Sequence, residues 1–274
     1  RILGSYAIFL SDDRKDADGA EGYYQRALEA DPKDARILGN YANFLSDVRK
    51  DADGAEDYFQ RALEADPKDA RILGSYAIFL SDDRKDADRA EDYFRRALEA
   101  DPKDAIILGN YAVFLSDDRK DADGAEEYYK RAIEADPKDA NHMANYARWL
   151  FTCGKLEDGH AMLDRAIAAF DPSTENALAA ELAFYAYALG SEEERGEYLA
   201  KLKQLLAADV RSPGWDLKPI VQRAMEANHP AGDWLGKLAA VISDSADLAT
   251  LDDWQDWRDC KPDDPELPPS SGSA

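Results

Sequence analysis

Apolar positions recur at helical spacing through the first 170 residues, block after block. In the stretch 36–70, Leu38, Tyr41, Ala42 and Leu45 stand at i, i+3, i+4 and i+7, which is one face of a helix. The polar run Ser46-Asp47-Val48-Arg49-Lys50 predicts a turn. Asp51 then caps a second helix whose inner face is Ala52, Ala55, Phe59 and Ala62. Alanine at 55 and 62 lets neighbouring helix backbones come close, and Phe59 fills the space left between them. Pro67 cannot continue that helix, and Asp69 is placed to cap the next one.

The same block returns along the chain. Arg1-Ile2-Leu3-Gly4 recurs at Arg36-Ile37-Leu38-Gly39, at Arg71-Ile72-Leu73-Gly74 and as Ile106-Ile107-Leu108-Gly109, a period of 35. The first and third copies differ only at Gly19/Arg89, Gly22/Asp92, Tyr24/Phe94 and Gln25/Arg95. Such likeness means recent duplication or deliberate idealisation. A fifth copy, Asn141 to Pro172, has the turn Cys153-Gly154-Lys155-Leu156, shorter by one residue.

Beyond Pro172 the repeat fades while helical spacing continues. Asn176 to Leu189 predicts a helix with Leu178, Leu182, Tyr185 and Leu189 as its inner stripe. Ser191, with Glu194 three residues on, predicts a capping box for a helix reaching about Ala208. Ser212-Pro213-Gly214 breaks the chain, and shorter helices are expected over 218–228, 232–242 and 248–258. Four of the five tryptophans (Trp215, Trp234, Trp254, Trp257) fall there, interleaved with aliphatic residues. They read as a cap sealing the end of the array, the alternative being an exposed aromatic docking surface. The expected organisation is five helix pairs over 1–174, a degenerate sixth over 175–208, a Trp-rich helical cap over 209–258 and a disordered, Pro-rich tail over 259–274.

These residues carry a family resemblance. The tetratricopeptide repeat is marked by W-x2-L-G-x2-Y, then A-x3-F, then P. Here the pattern is Leu38-x2-Tyr41-Ala42-x2-Leu45, then Ala55-x3-Phe59-x2-Ala62, then Pro67. Leu replaces the Trp, and one extra residue separates the helices; the fifth copy has the usual 34-residue length. The resemblance implies an all-α fold, a right-handed α-solenoid of stacked antiparallel helix pairs. It further implies a concave wall, lined by the first helix of each pair, that receives a peptide or protein partner. Carried onto this chain, that wall holds Arg36, Gly39, Asn40 and Asn43; Arg71, Gly74, Ser75 and Ile78; Ile106, Gly109, Asn110 and Val113; and Asn145 and Arg148. Asn amides both donate and accept, so a row of them suits a peptide backbone, and arginines suit a carboxylate. Ile78 and Val113 are apolar spots for one anchoring side chain. The other reading of the wall is a solvated polar face. Some relatives grip a chaperone's C-terminal carboxylate with a Lys/Asn clamp; here glycine stands where one clamp lysine would be.

Charge narrows the partner. With 34 Lys and Arg against 57 Asp and Glu, the formal net charge is −23. That repels nucleic acid and anionic lipid, and favours a basic protein partner or simple solubility. Two cysteines far apart, Cys153 and Cys260, fit a reducing, cytoplasmic setting. The chain opens at Arg1 inside a repeat, which reads as a piece of something longer. Catalysis is not expected. Cys153 and His160 flank a short turn without an orienting third group, and no metal or cofactor motif is present. The run Asp13-Arg14-Lys15-Asp16-Ala17-Asp18-Gly19 fails a calcium loop on register, with Arg14 first and Gln25 twelfth. The duplicated turns therefore read as solvated punctuation. A structural alternative is self-assembly end to end through Leu3, Tyr6 and Leu10.

Overall fold

The computed structural model describes residues 2–12, 14–171, 176–212 and 216–260. All regular structure among them is helical, and the chain is an all-α solenoid of antiparallel helix pairs. Contacts divide it into two compact units, Arg1–Pro137 and Lys138–Ala274. No helix among the described residues is long and apolar enough to cross a membrane.

The first unit holds four pairs: α1 (Ile2–Asp12) with α2 (Ala17–Ala30), α3 (Ala35–Phe44) with α4 (Ala52–Ala65), α5 (Ala70–Asp82) with α6 (Ala87–Ala100), and α7 (Ala105–Phe114) with α8 (Ala122–Ala135). Their starts follow from the aspartates. Asp51 accepts from the Gly54 N–H, and Asp69 accepts from the Arg71 and Ile72 N–H groups. Each caps a helix start that lacks internal partners. Asp16 is used in the same way on Gly19. The expected inner positions are buried, among them Leu38, Tyr41, Ala55, Phe59 and Ala62. Consecutive pairs lock through aromatic rings: Tyr24 stacks on Tyr41, Phe59 on Tyr76 and Phe94 on Tyr111, at 5.2, 5.2 and 5.3 Å. Full burial of each such ring is worth about 1.5–3 kcal/mol.

The turns are solvent-exposed at most of their charged side chains, as expected, but they are also structured. After α3 the chain continues helically for one wider π-type turn, Leu45–Arg49, and only then reverses at Lys50, whose φ is 56°. The Asp51 N–H returns to the Leu45 carbonyl at 2.9 Å. The extra residue of the 35-residue repeat is spent in this widened turn. In the fifth copy, one residue shorter, Gly154 takes the left-handed position (φ 77°) and the Lys155 N–H reaches the Leu150 carbonyl. That is the usual glycine-terminated helix end. The turn arginines also have partners: Arg49 pairs with Asp18 and Glu21, and Arg84 with Asp53 and Glu56, each on the preceding pair.

The second unit contains α9 (Ala140–Thr152), α10 (Leu156–Ala169), α11 (Asn176–Leu189), α12 (Arg195–Ala207), α13 (Lys218–Glu226), α14 (Trp234–Ile242) and α15 (Gln255–Asp259). α11 is buried on every side rather than along one stripe, because α9, α10, α12, α13 and α14 all pack on it. The Ser191 capping box does not form: α12 begins at Arg195, and the Ser191 hydroxyl donates to the Glu194 carboxylate. The helix expected over 248–258 is instead a 3-10 turn, Leu248–Leu251, followed by α15. Trp254 stacks between Trp234 and Trp257 and is buried with Trp257, so these rings are packing rather than an exposed docking surface. Trp215, Pro213, Gly214 and the tail from 261 lie outside the described residues.

A candidate groove on the first-helix wall

Within the first unit, α1, α3, α5 and α7 lie side by side. Glycine sets their spacing. A Cβ on Gly39 would stand 3.2 Å from Ile72 Cγ1, and one on Gly74 would stand 3.2 Å from Ile107 Cγ1. The backbones therefore approach closely, and each Ile covers the glycine of the helix before it.

Between α3 and α5 this leaves a groove of about 250 Å³, lined by Arg36, Gly39, Asn40, Asn43, Asp69, Arg71, Ile72 and Ser75. Six of the expected wall residues thus meet around one cleft: Arg36, Gly39, Asn40, Asn43, Arg71 and Ser75. Among the described residues, the side chains of Asn40, Asn43 and Ser75 make no hydrogen bond, which leaves their polar atoms available. Arg71 lies 3.9 Å from Asp69 and is otherwise extended into solvent.

A second cleft of about 410 Å³ shares Asn43 and Ser75 and adds Ile78 and Phe79, then Asp47, Lys50, Asp82 and Asp83. The acids were not expected here. Asp47 lies on the face of Asn40 and Asn43 because the chain stays helical past Leu45, so positions 40, 43 and 47 remain in line. The spacing i, i+3, i+7 was visible in the sequence, but the polar run hid it by resembling a loop.

Burial pushes the Asp47 carboxyl up, with Lys50 and the Ser46 hydroxyl opposing and Asp83 and Asp12 adding to the rise. Asp82 is raised by burial, then by Asp118, Asp83 and Asp47, against Lys85. The Ser46 hydroxyl also donates to Asp83 Oδ2 at 2.9 Å, tying the two turns together.

The remaining wall residues fall elsewhere. Asn110 and Val113 are half-buried on α7, the neighbour of α5. Asn145 and Arg148 belong to the second unit. Arg148 is only 8 % exposed, so it is an interior residue there rather than an open contact. Its charge acts on Glu181 of α11, a carboxyl 1 % exposed that burial pushes up to about 7 against the pull of Ser212 and Arg148. At the opposite end of the first unit, Leu10 is buried, and the exposed apolar residues are Ile2, Tyr6 and Phe9. Of the three residues expected at an assembling end, Leu10 is buried, Leu3 is half-buried and Tyr6 is exposed.

Comparison with known proteins accords with the helix pairs. The family model described as tetratricopeptide repeat matches residues 13–77 and 118–182, and a second model of the same description matches 82–140. No curated protein matches the chain. Among solved structures, PilW, a type IV pilus biogenesis factor, aligns with a TM-score of 0.61 at 23 % identity over 82 % of this chain and 97 % of its own. Pseudomonas aeruginosa pilF gives 0.60 at 18 % identity, over 83 % and 96 %. A tetratricopeptide repeat protein from Parabacteroides merdae gives 0.59 at 18 % identity, over 81 % and 83 %. At these identities the likeness is one of fold. With capped helix pairs, ring-locked junctions and the family model matching most of the chain up to residue 182, this protein belongs to the tetratricopeptide-repeat family.

Proposed function

We propose that this protein is an interaction scaffold whose first-helix wall, the concave face of the family, receives a peptide or protein segment between α3 and α5. Tetratricopeptide repeats support a protein-binding scaffold in general. The observation that carries the specific reading is the groove itself. Asn40, Asn43 and Ser75 line a cleft with side-chain donors and acceptors not used internally, and an extended backbone needs both. Asn110 and Val113 extend the same wall on α7. The work is binding, with no chemical step assigned to Cys153, His160 or any other residue.

The experiment is capture of cellular partners by the wild-type chain and by an Asn40→Ala/Asn43→Ala variant, compared quantitatively, with helicity checked by circular dichroism. Loss of the captured set in a folded variant supports the groove. An unchanged set removes the wall from the account.

A further inference from the structure

The second unit buries a histidine in a setting that only its neutral form fits. His229 is 6 % exposed and follows the end of α13, where Asn228 takes left-handed backbone (φ 56°) and the His229 N–H returns to the Ala224 carbonyl at 3.0 Å. Its ring is held at both nitrogens. Nδ1 accepts the Ala231 N–H at 3.2 Å, so that nitrogen carries no hydrogen. Nε2 stands 3.1 Å from the Tyr187 carbonyl, which can only accept, so this nitrogen carries one. One neutral tautomer satisfies both partners, and the ring ties the link between α13 and α14 to α11.

We propose that His229 is an acid-sensitive fastening of the Trp-rich helices. While neutral it holds the α13–α14 link on α11; protonated at Nδ1 it releases that link and loosens the Trp234–Trp254 stack.

A proton on Nδ1 would set two N–H groups against each other and leave the Ala231 N–H without its acceptor. The new charge would also meet a cation. Arg195 of α12 acts on the ring, and Asp256 of α15 acts instead on the neighbouring Tyr187 hydroxyl. Glu226 of α13 is exposed and pairs with Arg223, and Asp233 ahead of α14 is exposed. Burial, then Arg195, hold the imidazole below its usual 6.5, against the Tyr187 carbonyl. The stability from this contact is therefore fully present above 6.5 and is lost as pH falls through the lower, folded value. Glu181 works in the opposite sense, since burial favours its protonated form, so acid loosening of this unit does not come from it.

The rings carry the release outward. His229 meets the Tyr187 ring edge-on at 5.0 Å, and Trp254 meets the same ring at 6.2 Å. Trp234, the first residue of α14, stacks on Trp254 at 5.8 Å. A link freed at Ala231 frees the start of α14 and with it Trp234. The first unit has no histidine, and all five tryptophans lie in the second, so tryptophan emission reports this unit alone.

The test uses the full chain. Nitrogen NMR of the imidazoles, with His229 assigned by its absence in His229→Asn, should show one tautomer with hydrogen on Nε2 and protonation only below the usual histidine range. Hydrogen-exchange protection of the Ala231 amide, corrected for the intrinsic rate, should fall about ten-fold between pH 6.5 and pH 5, with tryptophan emission moving to the red. The Ala62 amide in α4 should keep its protection over that range. His229→Asn keeps an oxygen to accept the Ala231 N–H but takes up no proton, so its Ala231 protection should hold. Protonation of His229 at or above the usual range overturns the proposal, as does unchanged Ala231 protection in the wild type or the same loss in His229→Asn. Should that variant fail to fold, wild-type His229, assigned by its contacts to Tyr187, decides by its tautomer and by whether Ala231 protection follows its titration.

Discussion

The Tyr76 hydroxyl donates to Glu56 Oε1 at 3.2 Å, across the junction between the second and third helix pairs. Tyr76 is fully buried against Phe59, and Glu56 also receives Arg84 and Arg89. One carboxylate thus gathers three donors from the following pair. Tyr41 reaches Glu21 in the same way at 3.2 Å, so the contact is a repeated feature of stacking.

Glu56 supplies the first prediction. Burial works to raise its carboxyl, but the Arg89 and Tyr76 hydrogen bonds and the charges of Arg84 and Arg89 outweigh it and hold the group below its ordinary range. A depressed carboxyl contributes stability that is present above its unfolded value and is lost as pH falls through the folded one. Glu56→Gln should cost about 1 kcal/mol near neutral pH and should flatten the acid limb of the stability profile. Tyr76→Phe should cost less, since both arginines keep their partner. Urea titrations from pH 7 down to pH 3 measure this; an unchanged acid limb in Glu56→Gln contradicts it.

Lys50 and Lys120 hold left-handed backbone at φ 56°. A side chain there costs about 1 kcal/mol relative to glycine, which is offset in part by glycine's greater freedom when unfolded. Lys50→Gly should raise the urea midpoint by an amount equivalent to about 0.5 kcal/mol, what remains of the strain after the offset, and Lys50→Ala should not, because alanine keeps the same strain. Gly154, which occupies this position in the shorter fifth turn, should show the reverse on substitution by Ala.

Glu181 in the second unit is raised to about 7, chiefly by burial. Its protonated form is the one the fold prefers. The stability this group contributes is therefore fully present below its unfolded value of 4.5 and is lost as pH rises toward 7. Glu181→Gln should be near neutral at pH 4 and stabilising by about 3 kcal/mol or somewhat more at pH 8, the shift from 4.5 to about 7 converted at about 1.4 kcal/mol per unit. Destabilisation at both pH values would show that the Arg148 charge outweighs desolvation.

Ile2, Tyr6 and Phe9 correspond to Ile37, Tyr41 and Phe44, which the preceding pair buries. A helix pair with the sequence of residues 36–70 joined ahead of Arg1 should bury them in the same manner. In a stacked array each added interface contributes nearly independently, so the gain should be at least about 2 kcal/mol. A urea midpoint that does not move would show that α1 cannot accept a neighbour.

Several features were legible because they are local. Asp51 and Asp69 announce helix starts, Pro67 announces a stop, and the i, i+3, i+4 spacing of Leu38, Tyr41 and Ala42 announces a buried face. Ser191 misled because a capping box needs the backbone to leave the helix at the cap, and here the helix starts later, at Arg195. The α11 stripe misled because alanines read as a spacer face, whereas five surrounding helices bury that face too.

What the sequence alone determined about this protein is its repeat, its helix pairs and its family, since periodicity, caps and small-residue positions act within a few residues of chain. It also placed Arg36, Asn40, Asn43, Arg71 and Ser75 on one wall. Only the tertiary structure decided which polar atoms remain available. Arg49 and Arg84 found partners about thirty residues back, Arg148 was drawn into an interior, and Asp47, Asp82 and Asp83 were left without an ion pair among the described residues. The reason is physical: a charge is satisfied or left open by whatever packs next to it, and in a stacked array that neighbour comes from another repeat.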